Sequence, residues 1–142
     1  DQMARDVNLA LTDVYTNTRE TELANTLMLP TSRFLTASTT RLGDTGSTVL
    51  EFIQNNNAYT AVSKQPLSIL PSQWLETAGA SSTKRMVAYS RTPDVLEFFL
   101  PGAFTFLPDH PLSSMSWRVD GIMNVGQTEI YRPKGVSYRD GI

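Results

Sequence analysis

Apolar residues recur at helical spacing near the start of the chain, at Met3, Val7, Ala10, Leu11 and Val14, followed by Thr18. This predicts an amphipathic helix over residues 3–18, with Asp1 and Asp6 near its positive end. After a break at Asn25, the run Leu27-Met28-Leu29-Pro30 is short, continuous and closed by proline, which predicts a buried strand. Thr31 is placed to cap a single helical turn through Leu35. Thr48 and Glu51 have capping-box spacing, so a second helix is predicted from Thr48. Val49, Phe52 and Ile53 form its apolar face, and Asn55-Asn56-Asn57 its stop. Leu67-Ser68-Ile69-Leu70-Pro71 repeats the strand-then-proline pattern without making an internal repeat.

The second half reads differently. Residues 76–84 hold Gly79 and two serines and are expected to form a flexible loop, followed by a short strand over 85–90. Thr92-Pro93-Asp94 fits a helical turn, and 95–100 fits a strand; periodicity leaves both open. Further strands are expected at 103–107, 116–119 and 128–138. Pro133 and Gly135 should interrupt pairing near 133–135, with Val136 and Tyr138 on opposite faces. Helices early and short strands late define an α+β chain. Its 142 residues fit a single domain able to bury a core without metal or disulfide staples.

Composition narrows the function. The chain is 40% hydrophobic and only 18% charged, against a usual ~25%, so part of its surface suits a partner. Net charge is −2 and the cations are scattered, which leaves no basic stripe for sequence-specific nucleic acid binding. Without cysteine there is no thiol nucleophile, disulfide or thiolate metal site, which suits a reducing compartment. No apolar run approaches the roughly 18 residues of a membrane span, and no signal peptide is seen, so no membrane partner is expected.

Candidate chemistry is thin. Asp44-Thr45-Gly46-Ser47 matches the tetrapeptide of aspartic proteases, whose two aspartates share a proton; a single copy would need a retroviral-type homodimer centred on Asp44. Such enzymes place the motif after an apolar strand, whereas Arg41-Leu42-Gly43 precedes it here. The favoured reading is a loop feeding a helix. His110, the only histidine, lies beside Asp109 and Pro111 and reads as a surface loop residue, since no serine sits in a Gly-x-Ser-x-Gly elbow. Asp44, Asp94 and Asp120 stand apart, so no metal is expected. Phe98, Phe99, Phe104 and Phe106 read as core packing rather than base stacking, with few cations nearby. Trp74 and Trp117 fit either core or interface. Arg132, Lys134 and Arg139, interrupted by Pro133, read as a solvated or interface strand.

Four segments taken in order carry a resemblance: the first helix leading into Leu27-Met28-Leu29-Pro30, then Leu67-Ser68-Ile69-Leu70-Pro71. Next come Lys84-Arg85-Met86-Val87-Ala88-Tyr89 with Val95-Leu96-Glu97-Phe98-Phe99-Leu100-Pro101, and last Ile130-Tyr131-Arg132-Pro133 to the end. Together they resemble the C-terminal half of tailed-phage and prophage major capsid proteins of the Hong Kong 97 type. The resemblance implies that residues 1–142 form a capsid A-domain-like mixed sheet flanked by helices, with about 128–142 returning as a strand toward a P domain. The family's N-terminal arm, E-loop and spine helix have no counterpart, so the chain reads as a fragment of a longer protein. The same resemblance implies no catalytic residue, cofactor or small-molecule substrate. It implies instead a virion shell subunit partnered by copies of itself in pentamers and hexamers, cytoplasmic before assembly. Encapsulin-like nanocompartment shells share the fold and remain an alternative. The capsomer-axis loop of the family corresponds to Ser38, Thr39, Thr40, Arg41, Leu42, Gly43, Asp44, Thr45, Gly46 and Ser47. No Asn near Ser116 matches the crosslinking position of some relatives. The resemblance leaves mainly this loop and the domain's flanks for contact, so the chain alone is expected to be soluble and monomeric or weakly associated; a short polar loop offers far less than the ~1,200 Å² of a stable interface.

One expectation is directly measurable. Incubation with casein at acid pH should give no cleavage; pepstatin-sensitive turnover abolished by Asp44→Asn would falsify the non-hydrolase reading.

Overall fold

The computed structural model describes residues 2–43 and 46–142. The first helix, α1 (Gln2–Asn17), buries Ala4, Val7, Ala10, Leu11 and Val14, the stripe that the apolar spacing predicts. Its first described turn holds no acid, so Asp6 does not act at the helix end. Strand β1 (Thr26–Pro30) follows, and Leu27 and Leu29 are wholly buried, with Thr26 and Pro30 nearly so. Burial of alternate and adjacent positions alike means that β1 is covered on both faces.

Helix α2 (Thr31–Thr39) is longer than the single turn expected, and Thr31 does not cap it. Glu76, distant in sequence, takes that role: its carboxylate accepts from the Ser32 backbone N–H at 2.7 Å and from Ser32 Oγ at 3.0 Å. An acid at the positive end of a helix satisfies both an orphan donor and the dipole. Helix α3 (Val49–Asn55) opens as the capping box requires, with Thr48 Oγ1 accepting from Glu51 N–H at 3.2 Å. It is followed at once by α4 (Ala58–Ser63), which the sequence reading did not resolve. The buried Asn57 makes this junction: Oδ1 accepts from Thr60 N–H at 2.8 Å, while Nδ2 donates to the Ile53 carbonyl at 2.8 Å. One side chain thus ends α3 and begins α4.

Strand β2 (Ser68–Ser72) pairs in parallel with β1, Leu27 opposite Ile69. Pro71 lies within β2, tolerated because β2 is the sheet edge, where a missing donor can face outward. Two 3-10 turns, Gln73–Glu76 and Ala80–Ser82, lead to β3 (Arg85–Tyr89), which runs antiparallel to β1. The expected flexible loop is therefore pinned, with Gly79 N–H donating to the Thr83 carbonyl at 2.8 Å and Ala80 N–H to Asp140 at 3.0 Å.

From Thr92 the chain turns, then leaves the body as β4 (Leu96–Phe98), so both alternatives for 92–100 are realised in succession. Strands β5 (Gly102–Phe106) and β6 (His110–Ser113) lead outward; β7 (Ser116–Arg118), β8 (Gly121–Asn124) and β9 (Thr128–Ile130) lead back. They pair antiparallel in nested order, β4 with β9, β5 with β8 and β6 with β7. Concentric pairing of this kind is one long hairpin arm.

The chain returns through a 3-10 turn at Pro133–Gly135 into β10 (Val136–Asp140), which pairs with β3 to give the mixed sheet order β10-β3-β1-β2. The interruption falls where Pro133 and Gly135 predicted it. Val136 and Tyr138, however, lie opposite Tyr89 and Val87. Two residues apart in a strand, they share a face, and the expectation of opposite faces is corrected. Helix α1 packs along β3 and β10 and meets α3 and α4, while α2 packs on β1 and β2. The core, built around Val7, Leu27, Leu29, Ile53, Leu67 and Met86, lies between them.

Leu29 is fully buried in the doubly covered strand. Leu29→Ala is expected to cost about 2–5 kcal/mol of stability, read from the urea unfolding midpoint. A loss under about 0.5 kcal/mol would show that β1 is not the core of the sheet.

Candidate functional site

The predicted axis loop divides. Ser38 and Thr39 belong to α2, where both hydroxyls donate back to the Leu35 carbonyl, at 2.8 and 3.0 Å. Such local bonding keeps a Ser/Thr-rich last turn helical. The loop proper starts at Thr40, whose carbonyl accepts from Val49 N–H at 2.9 Å. Arg41 bridges to Thr48, and Leu42 N–H donates to the Ser47 carbonyl at 3.1 Å, closing a small hairpin. Gly43 has φ +55°, a left-handed conformation that side chains resist. Gly46 is exposed, and Asp44 and Thr45 lie outside the described residues. The loop runs between two helices, not between a strand and a sheet, so the setting that an aspartic protease needs is missing.

The arm corrects a larger expectation. Phe98, Phe99, Phe104 and Phe106 are exposed, from 53% to 69%, rather than packed in the core. A two-stranded ribbon has no second layer to cover either face. Phe104 and Phe106 meet edge to face at 4.8 Å, which orders them without burying them. His110 sits in β6, opposite Arg118, and not in a loop; it is exposed. Trp117 pairs with Pro111 near the tip and is also exposed, as is Trp74 on the body at 87%.

Charged groups brace the body sheet at the far end of β10 and, through Arg132, at the foot of the arm. Arg85 Nε donates to Asp140 Oδ1 at 2.6 Å and its guanidinium lies 4.6 Å from the Tyr138 ring centre. The Arg85 hydrogen bonds, joined by the Ala80 N–H, hold the Asp140 carboxyl down to about 2. Arg139 bonds Asp13 of α1, and Arg132 bonds Glu22 just after it. The Ser32 backbone bond lowers the Glu76 carboxyl, helped by Lys84, whose Nζ lies 3.6 Å away. Tyr131 donates to Glu97 at 3.2 Å, which raises its phenol, with Glu129 opposite. A cleft of ≈ 550 Å³ at the foot is lined by Arg19, Glu22, Arg132, Pro133 and Lys134. These are structural ties on exposed groups. Among the described residues no cluster of three or more His, Cys, Asp or Glu is placed to hold a metal, and no helix is long and apolar enough to cross a membrane.

A mixed four-stranded sheet with helices packed on it and a long β arm is the fold of a phage capsid protein. The structure superposes with a TM-score of 0.82 on a chain from the capsid of Myoviridae phage XM1, at 15% identity. That match covers 100% of this chain and 46% of the phage chain, so residues 1–142 span less than half of that relative. The chain belongs to the major capsid protein family, whose model matches residues 1–142. No curated protein sequence matches it.

The ionic tie at Asp140 has a pH signature. A carboxyl depressed when folded stabilises the fold above its unfolded value, ~3.9, and loses that contribution as pH falls through about 2. The stability difference between the wild type and Asp140→Asn should therefore be full at pH 6 and shrink between about pH 4 and 2. A difference unchanged across that range would remove the Arg85–Asp140 tie as its source.

Proposed function

We propose that residues 1–142 are the A-domain part of a longer tailed-phage or prophage major capsid protein. In this reading the protein assembles with copies of itself, as pentamers and hexamers, into the icosahedral shell of the virion, and stands in the bacterial cytoplasm before assembly. The observation that carries it is the family match along the whole described fold, supported by the likeness to a phage capsid chain. The same match favours a phage head over an encapsulin-like compartment. We assign it no enzymatic step, cofactor or substrate.

The loop from Thr40 to Thr48 is the proposed axial contact, with Ser38 and Thr39 on the helix that supports it. Thr40, Arg41, Gly43 and Gly46 are exposed, the Arg41–Thr48 bridge anchors the loop's base, and Gly43 is left-handed. A fixed base with a glycine near the tip suits a segment that must take different shapes around five-fold and six-fold positions.

Expression of a parent polypeptide carrying these residues should yield closed shells of uniform diameter in electron micrographs. Folded, low-mass species with no shells at any concentration would remove the assembly reading.

A further inference from the structure

The cleft between the end of α1 and the 3-10 turn before β10 gathers positive charge that the chain does not neutralise. Its volume is ≈ 550 Å³, and Arg19, Arg132 and Lys134 line it against a single acid, Glu22. Elsewhere Lys84, Arg85, Arg118 and Arg139 are each paired with an acid. In the cleft Arg132 alone is paired, through one guanidinium nitrogen, while Arg19 and Lys134 have no ion pair among the described residues. Both walls are fixed. Thr18 Oγ1 donates to the Val14 carbonyl at 2.7 Å and accepts from Glu22 N–H at 3.1 Å. Opposite, Gly135 N–H donates to the Arg132 carbonyl at 2.9 Å and closes the turn that carries Lys134. Arg19 stands where glycine is the default. Glu20 N–H donates to the Tyr15 carbonyl at 2.8 Å and Arg19 N–H to the Thr16 carbonyl at 3.1 Å, the double closure of a Schellman motif. Its left-handed position falls on Arg19, at φ +54°, which strains any residue with a Cβ.

We propose that this cleft binds a nucleoside monophosphate, with Arg19, Arg132 and Lys134 on the phosphate and the flat ring against the carbon of the wall. Charge, size and surface chemistry agree on that class. The lining carries three cations against one acid, an excess of two, which matches the charge of about −1.5 to −2 on a phosphate monoester at neutral pH. A lone carboxylate would leave one cation over. The planar fork of arginine takes phosphate oxygens in pairs, and lysine adds a mobile point charge. The volume falls within the roughly 300–1,000 Å³ of small-molecule sites, which is more than a free phosphate fills. Carbon dominates the lining, as the Pro133 ring and the long stems of arginine and lysine provide. A free phosphate would leave that carbon wet, whereas a ring covers it. Polymeric nucleic acid fits less well, because it needs cations along a track, and Arg85, Arg118 and Arg139 are committed to acids. Binding without turnover is expected, since no histidine lines the cleft and Glu22 is held by Arg132. The site stands apart from the assembly reading, and neither depends on the other.

The test is calorimetry on the chain, with ¹⁵N–¹H spectra to locate the ligand. Adenosine and uridine monophosphate are the probes; inorganic phosphate, adenosine, a single-stranded oligonucleotide and a glutamate-rich peptide are the comparisons. Both monophosphates should bind saturably and roughly tenfold or more tighter than phosphate or adenosine alone, shifting the amides of Arg19, Glu22 and Lys134. Arg19→Gly relieves the left-handed strain, so it should leave the unfolding midpoint unchanged or raised. It should nevertheless weaken binding roughly tenfold, as the loss of one charge-assisted hydrogen bond does. That pairing separates a ligand contact from the plain role of a cation at a helix end. Lys134→Ala should weaken binding similarly with an unchanged circular dichroism spectrum. No saturable binding of either monophosphate would overturn the proposal, as would equal affinity for phosphate alone. Binding unchanged in both variants would place the ligand elsewhere and overturn it. Tighter capture of the oligonucleotide or the acidic peptide would assign the cleft to a polymer and overturn it too.

Discussion

The pairing of Val136 with Tyr89 is the constraint on which the rest of this molecule depends. Strand β3 ends at that residue and β10 begins opposite it, so the intervening chain must leave and return at one point. Two connections reinforce the closure. Ser90 N–H donates to the Gly135 carbonyl at 3.2 Å, and Tyr131 N–H to the Val95 carbonyl at 2.9 Å. Gly135 is buried against Val95, where a Cβ would sit 2.8 Å from a valine methyl. Only glycine lets the two crossing segments approach this closely. With both ends fixed together, a nested antiparallel hairpin is the simplest way to pair the backbone groups between them.

What was legible in the sequence was whatever local chemistry decides. The stripe of α1, the buried run at Leu27 and Leu29, the capping box at Thr48 and the interruption at Pro133 each rest on residues a few positions apart. The features missed are set by distant partners. Helix α2 outlasts its single expected turn because Glu76 caps it from across the fold. The 76–84 segment looks flexible by composition and is pinned by Asp140. Helix α4 is six residues, too short for periodicity to reveal, and Asn57, which caps it, was read only as part of the stop of α3. The loop expected over residues 38–47 starts later, because Ser38 and Thr39 are helical, and their hydroxyl bonds to Leu35 leave no sequence mark distinct from a polar loop.

The aromatic cluster shows a different limit. Alternating large apolar residues say that a strand face meets apolar surroundings; they do not say whose. For Phe104 and Phe106 the expected core packing is not found, because their strands leave the body as a two-stranded ribbon that carries no second layer. The low overall charge carried the same information in diluted form. It is concentrated in the arm, where residues 98–108 carry no charge at all.

A ribbon so poor in charge, with both outer edges unpaired, would ordinarily template open-ended strand pairing. Its sequence works against that outcome. Pro101, Pro108 and Pro111 each remove a backbone donor, and the registers slip between Gly102 and Thr105 and again between Pro111 and Ser113. Bulges twist an edge away from a flat partner, so continuous edge-to-edge addition is blocked. What remains available is side-chain packing on the ribbon faces and at the tip, which is shape-specific. Backbone pairing would add copies without limit, whereas face packing sets a defined angle between neighbours and allows closure. For the proposed shell subunit, an arm that resists fibre growth yet keeps an apolar face suits a shell of finite size.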